Sequence, residues 1–237
     1  MPKVEVCFTP DKFDLYFDGQ PIVVVIDVLR ATSAICAGLN HGVKSFIPVA
    51  TLEEAKEYQS KGFIVAAERQ GQIVEGFELG NSPYGFMNDA LIGKDVVIST
   101  TNGTKAVQIA SKAETVVIAS LLNLDAVVNY LHKQQKDVLV LGSGWKNKFN
   151  LEDTICAGAI ADELQLKGFS SENDSTLSSI VIYKGAANNP FSFLKASSHR
   201  RRLKALNLNE DIKYCLKPNQ ANVVPILSEQ GRLVCKD

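Results

Sequence analysis

Residues 22–32 read IVVVIDVLRAT, and this stretch decides the fold. Five apolar residues, Ile22 to Ile26, run without a polar break into Asp27 and Arg30. A continuous apolar run of that length suits a strand buried on both faces, as in the middle of a parallel sheet. Ala31, Thr32, Ile35, Ala37 and Leu39 then predict a helix leaving the strand and ending near Asn40, with Gly42 as its stop. Asp27 is thereby placed at the carboxyl end of a central strand, and Arg30 in the turn after it. Open α/β sheets bind their ligands in that crevice. An acid and a base there suit a metal and an anion, although an N-capping Asp beside a surface Arg reads the same way locally.

Outward from this unit, strand and helix signals alternate. Val4 to Phe8 predicts an opening strand, with a turn at Asp18-Gly19-Gln20-Pro21. Ser45 to Val49 predicts a strand, followed by a helix opened by Thr51 with Glu54 at capping-box spacing. Phe63 to Ala67 predicts a strand that runs into Glu68-Arg69. Residues 70–86 have little periodicity and are rich in glycine, as a functional loop would be. Strands follow at Val96–Ile98, Thr115–Ala119 and Val138–Leu141, with helices near Lys105 and over Leu124–His132. Asn150 or the following acids introduce an apolar helix, ICAGAIADELQL. The SSENDST patch, 170–176, predicts an exposed connection. Beyond it the pattern predicts a strand at Ile180–Tyr183, helices over Phe193–Leu206 and Asp211–Leu216, and a final strand at Val223–Pro225. The alternation implies an α/β fold with a largely parallel or mixed sheet and helices on both faces. It is compatible with a single catalytic unit over 1–237, or with two lobes divided near 115–137 or 170–176.

With 237 residues, 46% hydrophobic and 22% charged, the chain can bury a sizeable core. A net charge of −1 gives no electrostatic footprint for nucleic acid, and no run approaches the length of a bilayer span. Five scattered cysteines without a CxxC pair argue against a disulfide framework or a zinc site and for a reduced, cytoplasmic protein. Cys36 and Cys156 lie among apolar helix positions and read as core thiols.

Four strands end in polar groups: Asp27 with Arg30, Glu68 with Arg69, the run Ser99 to Thr104, and Gly142-Ser143-Gly144. Parallel neighbours would gather these ends on one rim. The TTNGT turn, Thr100 to Thr104, offers backbone N–H groups and hydroxyls at a helix start, where phosphate binds, or is simply a helix cap. It is not a P-loop, since GxxxxGK[ST] is absent. Asn147 stands where a dinucleotide fingerprint after Gly142 needs its third glycine, which argues against a nicotinamide cofactor. Asp27, Glu68 and Asp153 could supply oxygen ligands for Mg²⁺, with Arg30 and Arg69 gripping phosphate. A surface pair and a helix-dipole acid are the plain alternatives for Glu68-Arg69 and Asp153. His199 to Arg202 reads as a solvated basic helix face, with His199 as acid or anion-orienting residue the alternative. Trp145 and Phe149 either wall a pocket or pack.

The pieces IDVLRAT (26–32), ERQG and EGFELGNSP (68–71 and 75–83), TTNGT (100–104) and LEDTICAGA (151–159) occur together in the order found in 2-phosphosulfolactate phosphatases, which the chain resembles. A weaker match continues through the His199 region, where Arg200 departs from the family pattern. The resemblance implies an α/β phosphatase that uses Mg²⁺ to hydrolyse 2-phospho-3-sulfolactate, on a route to coenzyme M and related sulfonates. The fold is distinct from haloacid-dehalogenase phosphatases, whose DxDx[TV] motif is missing after Asp27. The expected catalytic residues are Asp27, Arg30 and Glu68. Substrate-binding candidates are Arg69, Asn81, Thr100, Thr101, Asn102, Gly103, Thr104 and Ser143, and the expected Mg²⁺ ligands are Asp27, Glu68 and Asp153. The partner implied is a small phosphorylated sulfonate or carboxylate, with no nucleic acid or membrane and a homo-oligomer compatible. A phosphatase for other 2-hydroxycarboxylic acid phosphates, or a phosphometabolite binder without catalysis, are the rival readings.

Overall fold

A computed structural model describes residues 1–19 and 21–236 of the chain. The turn expected at 18–21 includes Gln20, which lies outside the described residues. Among the described residues the strands are β1 (Val4–Cys7), β2 (Ile22–Ile26), β3 (Ser45–Pro48), β4 (Ile64–Arg69), β5 (Gln72–Ile73), β6 (Asp95–Ser99), β7 (Val116–Ala119), β8 (Val138–Gly142), β9 (Pro225–Leu227) and β10 (Leu233–Cys235). They form one sheet in the order β1-β8-β2-β7-β9-β10-β3-β6-β4-β5. No described helix is long and apolar enough to cross a membrane.

β2 is buried along its whole length because both faces are covered. Val24 and Ile26 pack with Ile155, Ile160 and Leu164 of the helix Leu151–Leu166, while Val23 and Val25 pack with Ala34 and Ile35 of the helix Ala31–His41. Period-two alternation thus splits one apolar run between two cores. Gly42 ends the Ala31–His41 helix in the left-handed region at φ +107°, and Thr51 and Glu54 form the expected capping box.

The sheet is not parallel throughout. β1, β8, β2 and β7 are mutually parallel, as are β3, β6 and β4, but β9 and β10 pair antiparallel between the two sets. Two antiparallel steps beyond β7 and a third onto β3 leave the second set running opposite to the first. Strands twist by about 20–25° per step, so the six steps from β2 to β4 accumulate about 120–150°. That rotation largely offsets the reversal, and it brings the carboxyl ends of β2 and β4 to the same cavity.

Three expectations for the C-terminal third are corrected. Ile180–Tyr183 is not a strand but part of a helix, Asp174–Ala186, which Asn173 of the polar patch caps by accepting from the Thr176 N–H. The buried positions Thr176, Ser179 and Ile180 follow helical spacing, so tertiary packing overrides the β-branched composition. The helix expected over Phe193–Leu206 is broken: Asn189 caps Pro190–Phe193, and Ser197 caps a second helix, Ser198–Ala205. The last strand begins at Pro225, and β10 was not anticipated.

Candidate active site

The chain after β2 makes a tight connection held by its own side chains. The Asp27 N–H donates to Thr32 Oγ1 at 3.0 Å, the Thr32 N–H returns to the Asp27 carbonyl at 2.9 Å, and Ser33 Oγ donates to the Val28 carbonyl. From across the sheet, Asp153 Oδ1 accepts the Val28 N–H at 2.9 Å, while Oδ2 accepts from Ser143 Oγ and the Gly144 N–H at 3.1 and 3.3 Å. Both Asp153 oxygens are therefore spent on protein donors. Ser143 joins the β8 end to this clasp rather than to open space. Burial, together with the Asp27 and Glu152 carboxylates, pushes the Asp153 carboxyl well above its usual range.

Asp27 is buried, yet its side chain lines a cavity of about 330 Å³. Burial pushes its carboxyl up to about 6, His199 opposes that rise and Glu68 adds to it. Glu68, at the end of β4, also lines the cavity. Its Oε1 accepts the Gly71 N–H at 2.5 Å, and Oε2 accepts the Thr101 N–H at 3.3 Å. One carboxylate thus ties the start of the glycine-rich loop to the turn after β6.

In that turn, Thr100 Oγ1 accepts the Thr104 N–H, and Thr104 Oγ1 donates to the Thr100 carbonyl. These two residues build the helix start, while Thr101 and Asn102 face the cavity. Gly103 has no room for a side chain. A Cβ there would lie 2.6 Å from Ala31 Cβ and 2.9 Å from Asp27 Oδ2. Gly103→Ala is expected to lower stability by about 1–3 kcal/mol, read as a lower denaturation midpoint, because overpacking must move Asp27 or the turn.

Arg30 is held by an ion pair to Asp211, both side chains buried, and by donation from Nη2 to the Gly71 carbonyl at 2.8 Å. Its guanidinium still forms part of the cavity wall. Arg69 donates instead to the Glu68 carbonyl and Ser99 Oγ, bracing the β4 end. The sequence places Arg69 on the substrate; unlike Arg30, it is not among the residues that line the cavity.

Further lining comes from residues outside the ends of β2 and β4. Glu152, 1% exposed, holds His199 through its Nδ1, and Glu152 Oε2 has no partner among the described residues. Arg202 stacks on Trp145, with Cζ 3.9 Å from the ring centroid, and its Nη2 is buried without a partner among them. Asn81 Oδ1 is likewise buried and unpartnered among the described residues. Trp145, Lys146, His199, Arg202 and Asn81 all line the cavity. His199 to Arg202 is therefore not a uniformly solvated face. Phe149 packs edge-to-face on Phe8. The pairs Glu152–His199 and Arg30–Asp211 are separated by 47 and 181 residues, so no local motif signals them.

Among the described residues no cluster of three or more His, Cys, Asp or Glu is arranged to hold a metal ion. The trio Asp27, Glu68 and Asp153 does not form one ligand group, because Asp27 and Glu68 line the cavity and Asp153 does not. Asp27 and Glu68 do share the cavity, with the unpartnered Asn81 oxygen on its wall. Two carboxylates and a neutral oxygen suit Mg²⁺, which takes one or two protein carboxylates and fills its remaining positions with waters and substrate oxygens.

A family model described as 2-phosphosulpholactate phosphatase matches residues 7–230. A probable 2-phosphosulfolactate phosphatase of Caldanaerobacter subterraneus subsp. tengcongensis is 41% identical over 210 residues, covering 86% of this chain and 87% of that protein. One from Microcystis aeruginosa is 42% identical over 218 residues, covering 89% and 90%. One from Thermotoga maritima is 39% identical over 204 residues, covering 86% and 88%.

Proposed function

This chain belongs to the 2-phosphosulpholactate phosphatase family of phosphoric monoester hydrolases, and we propose that it hydrolyses 2-phospho-3-sulfolactate to 3-sulfolactate and phosphate with Mg²⁺. The observation that carries the reading is the lining of the cavity: two carboxylates, Asp27 and Glu68, together with three cations, Arg30, Arg202 and Lys146. A substrate that brings a phosphate and a second strong anion fits that lining.

Asp27 and Glu68 would hold the ion, which supplies charge neutralisation at the phosphoryl oxygens and lowers the pKa of a bound water. Arg30, fixed by Asp211 and Gly71, presents a pre-oriented guanidinium to the same phosphoryl group. Thr101 and Asn102 border it from the turn. Asp27 takes the proton of the attacking water as general base. Arg202, stiffened by its stack on Trp145, receives the sulfonate or carboxylate.

The test is phosphate release from 2-phospho-3-sulfolactate, 2-phospholactate and phosphoglycolate, with Mg²⁺ and with EDTA. Hydrolysis that requires Mg²⁺ and prefers the sulfonate in kcat/KM is expected. Equal kcat/KM across the three would make the enzyme a general phosphatase of 2-hydroxycarboxylic acid phosphates. Binding without phosphate release would reduce it to a metabolite-binding protein. Arg202→Gln is expected to lower kcat/KM for the sulfonate about 10- to 100-fold, the worth of a charge-assisted hydrogen bond. An unchanged value removes Arg202 from the anion site.

A further inference from the structure

We propose that His199 is the general acid that protonates the leaving alcohol, with Glu152 as the buried positioning residue that orients it. The inference rests on the phosphatase reading and deepens it. A 2-phospho-2-hydroxy acid releases a secondary alkoxide, a poor leaving group, so the departing oxygen needs a proton as the P–O bond breaks.

Four observations place His199 in that role. It stands at the start of the Ser198–Ala205 helix, and that helix start is capped by Ser197 Oγ, which accepts the Arg200 N–H at 3.1 Å. Its Nδ1 is taken by Glu152 Oε1 and its ring lines the cavity, which leaves Nε2 for a ligand. Glu152 is itself on the first turn of the Leu151–Leu166 helix, next to Asp153, which clasps the β2 turn. The helix carrying the orienting carboxylate is therefore fixed to the strand end carrying Asp27. Finally, His199 and Asp27 line the same cavity. A carboxylate accepting from Nδ1–H fixes the orientation of the ring, and in the imidazolium form the Nε2–H is then the proton offered to the cavity, the form required of an acid that donates to a leaving oxygen.

The step balances. The oxygen of water bonds to phosphorus and gives its proton to Asp27. The P–O ester bond breaks, its electron pair stays on the alcohol oxygen, and that oxygen takes the proton from His199 Nε2. Solvent then returns a proton to His199 and removes one from Asp27.

The experiment compares 2-phospholactate with its 3,3,3-trifluoro analogue, which keeps the carboxylate and shape but releases a far more acidic alcohol. Wild type is expected to hydrolyse both. His199→Gln is expected to lose about 100-fold or more in kcat on 2-phospholactate, in the range of general acid catalysis, and at most a few-fold on the trifluoro ester. Glu152→Gln, which keeps a hydrogen-bonding group without the charge, should show the same selectivity at smaller size. Equal losses on the two esters in folded His199→Gln, or no loss on either, would overturn the assignment. If Glu152→Gln does not fold, His199→Gln and His199→Asn carry the comparison, because His199 packs at the cavity rim rather than in the core. Failure of wild type on both esters and on 2-phospho-3-sulfolactate would sink the phosphatase reading itself, and with it this one; if only the sulfonate is turned over, a loss of less than about 10-fold in kcat on it in folded His199→Gln would overturn the assignment.

Discussion

Asp27→Asn is expected to cut turnover by about 1,000-fold or more while leaving the chain folded, and above pH 6 more stable than the parent. The loss follows from removing the carboxylate that receives the water proton and shares the metal position; proton transfer alone accounts for factors of about 10² to 10⁴. The gain in stability has a separate origin. In the folded protein the Asp27 carboxyl titrates near about 6 against a usual 3.8, with burial the leading cause. Its folded pKa lies above its unfolded one, so the ionised group opposes folding. That penalty is absent below pH 4, grows between pH 4 and 6, and is complete above. At about 1.4 kcal/mol per tenfold change in proton affinity it amounts to roughly 3 kcal/mol. Asparagine is nearly isosteric and carries no such charge. Thermal melts of both proteins in EDTA at pH 4 and pH 8 read the difference. A variant that is inactive but no more stable at pH 8 would mean that Asp27 is solvated in the fold, and near-normal activity would exclude it from catalysis.

The largest loss of stability is expected from Gly158→Ala. Gly158 sits where the Leu151–Leu166 helix crosses the Asp174–Ala186 helix. A Cβ built there would lie 2.0 Å from the Ser179 carbonyl oxygen, 2.5 Å from its carbon and 2.8 Å from Tyr183 Cβ. The obstacle is backbone, which cannot rotate away as a side-chain tip can. In an exposed helix the same change would gain about 1 kcal/mol of helix propensity. Here the steric cost exceeds the usual 1–3 kcal/mol of overpacking, and a net destabilisation of about 3 kcal/mol or more is expected. Urea titration measures it. An unchanged or raised midpoint would show that the two helices can separate freely. Because Glu152 and Asp153 begin the first of these helices, surviving Gly158→Ala protein should also be catalytically impaired.

Local signals account for what was legible. The β2 run, its helix, the Gly42 stop and the Thr51 capping box are each set by residues a few positions apart, and each appears as expected. The small residues of ICAGAIADELQL allow close packing, and at Gly158 they admit another helix. Asp27, Arg30, Glu68, Thr101, Asn102 and Asn81 were all singled out, and they meet at one cavity. Arg69, Ser143 and Asp153 stand beside it with their polar atoms engaged by the protein. Trp145 and His199 were legible only as one of two alternatives each, and Arg202 was not legible at all. Three adjacent arginines look alike in sequence, but Arg200 lies over Phe191, Arg201 is exposed, and only Arg202 turns over Trp145. That sorting depends on an aromatic residue 57 positions earlier, and no short spacing encodes it. The sense of the sheet was hidden for the same reason, since β9 and β10 reverse it through pairs more than a hundred residues apart.

That insertion bears on how the molecule is assembled during synthesis. Until residues 225–235 have left the ribosome, β7 and β3 have no neighbour on their facing sides, so a nascent chain carries two half-built sheets with open hydrogen-bonding edges. Such edges invite pairing with other chains. A protein truncated before Pro225 would leave both permanently unsealed, and the cavity, whose two carboxylates come from opposite sides of that seam, would lose the strands that span it.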